Sequence, residues 1–210
     1  MRSSDVYLEV GEKRVFAVSL DWPGWCRHGK TIDHALEELE IYRGRYEKIV
    51  PAMGSLGKIS VIGEVIGDGT TDFGAPNKLG PWDASPASRA NRLRHIEILV
   101  SSWKYFDSVI KKAPATLAKG PKGGGRDRDN VAAHVQEAER AYGRKIGVRV
   151  PPRTSWPQQR EEILNQLKLG AQGSGWPQEY AVRRIVWHIV DHAWEIEDRS
   201  VEMQKTPLQG

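Results

Sequence analysis

The sequence predicts an α+β chain in two domains: an N-terminal β-sheet carrying one helix, and a C-terminal antiparallel four-helix bundle. Three observations carry this. Apolar residues alternate in short runs up to residue 66. Beyond residue 88 they recur at helical spacing in four long stretches. Between the two, residues 71–87 are rich in Gly, Thr, Asp, Asn and Pro and show no period. The expected boundaries are 1–70 for the sheet domain, 71–87 for a linker and 88–210 for the bundle.

Val6–Val10 and Val15–Leu20 alternate as strands around Gly-Glu-Lys-Arg, a hairpin turn. Asp21-Trp-Pro-Gly24 breaks the second strand, and a short third strand fits before the helix. Thr31 is the N-cap of that helix, whose apolar positions Ile32, Ala35, Leu36, Leu39, Tyr42, Tyr46 and Ile49 keep helical spacing. Ile59–Ile66 is the last strand. In the bundle, the first helix starts near Ser85-Pro86 or Ser88 and ends near Lys112, and the second covers about Arg128–Lys145. Ser155-Trp-Pro-Gln158 has the form of a capping box that opens a third helix through Leu169. Ser174-Gly-Trp-Pro177 introduces the fourth, which runs to about Met203.

Composition sets outer limits. The chain has 210 residues, 39% hydrophobic, and its eight tryptophans supply much of the core volume. The net charge of +4 is unevenly shared, with 10 basic and 12 acidic side chains in residues 1–80 and 21 and 15 in the rest. Neither part resembles a polybasic tail, and no recognition helix is evident, so nucleic-acid binding is not expected. A single cysteine, Cys26, excludes an intramolecular disulfide framework and suits a reducing compartment. The N-terminus has no apolar leader and no run is long enough to span a membrane, so a cytoplasmic protein is expected.

The chemistry concentrates in three histidines. His188 and His192, in Trp187-His-Ile-Val-Asp-His-Ala-Trp194, are four residues apart and share a helix face with Ile185, Ile189 and Ile196. Burying two imidazoles on an apolar stripe costs a few kcal/mol unless something satisfies them. His134 projects from the apolar side of the second bundle helix, three residues after Val131 and four before Ala138. Two ligands from one helix and one from a facing helix are what a bundle can offer a divalent ion. Three imidazoles suit zinc, nickel or iron and leave positions open for water or substrate. Glu137, Asp191 and Glu195 are candidate partners for the free ring nitrogens. His28, His34 and His95 are expected in surface or capping roles.

With these residues placed, the last 125 or so positions resemble the DinB/YfiT superfamily of four-helix bundles. His134, His188 and His192 stand where that family carries one histidine on its second helix and an HxxxH pair on its fourth. The resemblance implies a divalent-metal site and, as in several relatives, transfer or isomerisation dependent on a low-molecular-weight thiol. Asp21-Trp-Pro-Gly24, followed by Gly29, Thr31, Ala35 and Leu36, resembles the HicB antitoxin-like fold over residues 5–66. That implies a sheet packed on one helix, and a surface for a protein partner.

Other features have scaffold readings. Trp22 and Trp25 cover a core edge beside the turn; Trp187 and Trp194 seal the bundle. Cys26 has only Arg27 and His28 nearby to activate it and reads as a plain cysteine. The Lys119–Arg128 loop opens the helix that bears His134, and Lys122 and Arg126 are candidate anion-binding residues there. The function expected is a divalent-metal-dependent enzyme that activates a thiol or water against a small electrophilic substrate. The alternative is a non-catalytic regulatory or toxin–antitoxin-like protein-binding module with structural histidines. A homodimer is compatible with either.

Overall fold

The computed structural model describes residues 3–119, 124–170 and 175–205. Four strands form one mixed sheet in the order β3-β2-β1-β4: β1 Ser3–Val10, β2 Val15–Ser19, β3 Cys26–Gly29 and β4 Lys58–Ile66. β1–β2 and β2–β3 are antiparallel, whereas β4 lies parallel to β1 with a register shift at Val6/Tyr7. A parallel partner needs a crossover, and α1 (Ile32–Ile41) with the short α2 (Arg43–Glu47) supplies it.

Thr31 caps α1 as expected, its hydroxyl accepting from His34 N at 3.2 Å. The single helix anticipated through Ile49 is interrupted at Tyr42. The Trp25 indole N–H donates to the Leu39 carbonyl at 2.9 Å, the carbonyl that a continued helix would offer to Arg43. Tyr46 turns inward and donates to Pro23 O at 2.7 Å.

The sheet is covered on both faces. Val6, Leu8, Val15 and Ala17 face the α1 side with Trp22 and Trp25; Tyr7, Phe16, Val18 and Cys26 form a second cluster with Trp187. Every residue of β2 is therefore buried. The first of these clusters continues without a break into the helical part.

Residues 71–87 contain regular structure and are anchored at several points. Asp68 caps the short α3 (Gly69–Phe73), and a 3-10 turn covers Pro81–Asp83. The buried Glu9 carboxylate of β1 accepts from the Thr71 hydroxyl at 2.6 Å, Asn77 N at 2.9 Å and Lys78 N at 3.0 Å. These bonds satisfy the buried carboxyl oxygens and tie the stretch to β1.

The C-terminal part is helical: α4 Arg89–Lys112, α5 Arg128–Lys145, α6 Trp156–Leu169 and α7 Gln178–Lys205. Ser88 and Ser155 cap α4 and α6. α7 packs against α4 and α5, and α6 touches both. α7 also contacts the sheet layer, so Tyr180–Val190 is buried at every position, the pattern of a helix with neighbours all round. Its ends of contact are polar as well as apolar. Arg183 pairs with Asp83 in a buried ion pair, Arg184 donates to Pro76 O, and Glu179 accepts from Ala87 N at 3.1 Å. No helix among the described residues is long and apolar enough to cross a membrane.

Candidate metal centre

α5 and α7 bring His134, His188 and His192 together. One ligand nitrogen from each ring lies within 4.8 Å of the other two. The closest pair is His134 Nε2 and His188 Nε2 at 3.2 Å, and ring centroids are 4.5–5.0 Å apart. His188 is 8% exposed; the other two are half-buried. Tyr142 places its ring edge against His188 at 5.8 Å.

Burial is the first reason that His188 is held well below the ordinary imidazole range; the neighbouring His192 and His134 and the charges of Arg184 and Arg126 follow. His134 is lowered in the same way, by burial, then His192, then Arg126. Both rings are therefore neutral at neutral pH and hold lone pairs rather than second protons.

His192 Nδ1 lies 2.7 Å from Glu195 Oε2, and Glu195 is itself held by Arg199 at 2.7 Å. The hydrogen bond from His192, followed by Arg199, keeps the Glu195 carboxyl below its usual range. With Nδ1 engaged by Glu195, Nε2 is the nitrogen that His192 has left to offer a metal. Nitrogens sharing one tetrahedral ion at zinc–nitrogen lengths lie roughly 3.4 Å apart, and the His134–His188 pair is already near that separation. The donor set thus fits a divalent metal. No fourth His, Cys, Asp or Glu joins it among the described residues.

The other site candidates go elsewhere. Asp191 lies between its two histidine neighbours in sequence, yet it accepts from Arg27 of β3 at 3.1 Å. Glu137 is exposed, with Arg140 Nε 3.6 Å away. Arg126 is exposed, and its charge reaches His134 and His188. Lys122 lies outside the described residues. Trp187 faces Phe16 of the sheet rather than the helical interior, and Trp194 packs at a tilt against Tyr42, ring centroids 4.9 Å apart, with Arg27 and Arg45 nearby. These indoles seal α7 to the sheet layer, a correction to their expected place within the bundle. Cys26 is buried, and burial pushes its thiol up. His95, expected at the surface or in a cap, is instead 6% exposed on α4.

A buried carboxylate escaped the sequence reading. Glu139 of α5 accepts from the Trp103 and Trp156 indoles, with Arg160 Nε at 3.6 Å, and burial raises its carboxyl. Its signal in the sequence was its place in the Val131, Val135, Glu139 row, where an unpaired acid would be costly.

The chain matches no family model, no curated protein and no solved structure.

Proposed function

We propose that this protein is a divalent-metal-dependent enzyme of DinB-like type, with His134, His188 and His192 as the ligands. The observation that carries the reading is the convergence of three imidazoles, one of them oriented by a carboxylate, with no fourth protein ligand in the cluster among the described residues. An ion held by three protein ligands supplies Lewis acidity and lowers the pKa of a bound water or thiol. The chain's own contributions are distinct from that. Glu195 and Arg199 fix the His192 ring, Tyr142 walls one side of His188, and Arg126 adds positive charge near the site for an anionic group. The substrate class proposed is a small electrophile, attacked by the sulfur of a low-molecular-weight thiol or by water.

Elemental analysis of untagged protein tests the first step. Wild type supplied with zinc, nickel, iron or manganese should retain about one ion per chain, and His188→Ala/His192→Ala should retain none. Glu195→Ala should weaken metal affinity by roughly 10–100-fold, the usual effect of losing a carboxylate that orients a ligand histidine. If wild type stays metal-free with every ion offered, the histidines are core residues, and a non-catalytic protein-binding module becomes the better reading. If metal binds, thiol-transfer and hydrolysis assays against small electrophiles come next.

A further inference from the structure

A second group of charged side chains gathers on the outer edge of the sheet, on residues that the histidine centre does not use. The β1–β2 turn supplies Lys13 and Arg14, β3 with the residue after it supplies Arg27, His28 and Lys30, and α1 supplies His34. They line a groove of about 350 Å³. The pairing of Val15 with Gly29 and of Phe16 with His28 sets the end of the turn beside the end of β3.

Carboxylates answer little of this charge. Asp191 meets Arg27 at 3.1 Å, and Glu38, the one acid in the lining, lies 3.7 Å from His34. Asp72 accepts from the backbone N–H of Lys13, at 2.8 Å, rather than from its ammonium. Among the described residues no carboxylate forms an ion pair with Lys13, Arg14 or Lys30. Arg14 Nη1 instead lies 3.2 Å from His28 Nε2, so the imidazole accepts and is neutral. Burial first, then the charges of Arg14 and Arg27, hold His28 below its ordinary range. A concave surface with such an excess of one sign of charge concentrates counter-ions.

We propose that this groove binds a small phosphate-bearing anion with two or more negative charges. Its volume sits at the low end of small-molecule sites. The Arg14 guanidinium and the Lys13 and Lys30 ammoniums are fit to grip phosphate oxygens at several points. A nucleic-acid strand fits less well, because the rings in the lining are two imidazoles and no indole or phenol offers a stacking platform.

Inorganic pyrophosphate is the probe, titrated calorimetrically into the full chain at fixed ionic strength, as purified and again after metal removal. Saturable one-site binding is expected in both forms. Arg14→Gln/Lys30→Gln should weaken it by about tenfold or more, with circular dichroism unchanged. His188→Ala/His192→Ala should leave it within error, which separates this site from the proposed metal centre. Absence of saturable binding, or equal affinity in the Arg14/Lys30 double variant, would overturn the proposal. Loss of binding on metal removal would assign the anion to the histidines instead. Citrate binding as tightly as pyrophosphate would overturn the phosphate assignment. A short single-stranded oligonucleotide whose affinity rose with its length would replace the small anion with nucleic acid.

Discussion

His95 is buried on α4 with its Nδ1 unpartnered, and Arg183 and Arg94 both act on it. Burial, followed by those two cations, lowers its pKa to about 4 from the ordinary 6.5. The unfolded chain therefore takes up this proton before the folded one does as pH falls. His95 costs no stability above about pH 6.5; the loss accumulates between 6.5 and 4 and levels off below 4. Between pH 7 and pH 4.5, wild type should lose about 2 kcal/mol more than His95→Gln in urea unfolding. Equal losses would show that the ring takes up its proton as readily in the folded chain as in the unfolded one. The histidine triad was legible in sequence because all three rings fall on apolar stripes, and stripe membership is a local property. His95 stands four residues before Leu99 on the buried side of α4, a spacing the sequence did carry, whereas the charge of Arg183 on it comes from α7, which no local pattern reports. Asp191 shows the same limit: its neighbours suggested an imidazole partner, and a β3 arginine 164 residues away took it.

Among the elements, the turn before β3 has little freedom. Gly24 holds φ at +92°, and a Cβ there would lie 2.5 Å from Val186 Cγ1 and 3.3 Å from Val190 Cγ2. Backbone strain and collision with α7 add in the same direction, so Gly24→Ala should cost about 1–3 kcal/mol. Gly44→Ala in α2 meets nothing within 4 Å and should instead gain up to about 1 kcal/mol from helix propensity. Chemical unfolding of the two variants in parallel checks both signs; a neutral Gly24→Ala would mean that the turn can move off α7. Helix starts in the second half were readable because Ser88 and Ser155 carry the cap chemistry themselves. The break between α1 and α2 was hidden, since it depends on an indole 14 residues upstream reaching the Leu39 carbonyl. The anchoring of residues 71–87 was hidden for a similar reason: a periodless stretch reads as a linker until Glu9 is seen to collect its amides.

Across the whole molecule, the sheet layer and the helices share buried surface and charge. α7 belongs to both: Trp187 closes the second face of the sheet, and Ile185, Ile189 and Ala193 belong to the continuous core cluster. Four polar ties cross the same seam, Arg27–Asp191, Arg45–Glu197, Arg45–Asp198 and the bond from Arg94 to Asp21 O. Independent unfolding of the sheet together with the 71–87 stretch anchored on Glu9 would strand Trp187, part Arg183 from Asp83 and open the wall against which Val186 packs. A buried ion pair broken on one side typically costs about 3–5 kcal/mol, a large fraction of what a domain of this size holds in reserve. The two halves should therefore unfold as one unit, although their sequence patterns divide cleanly near residue 70. Cys26, buried on the sheet, reports one half through its reaction with a thiol reagent; helical circular dichroism reports the other. In urea the two curves should share a single midpoint. Thiol exposure at lower urea, with the helices intact, would mean that the seam is weaker than its contacts imply and that the sheet can detach from the helical half.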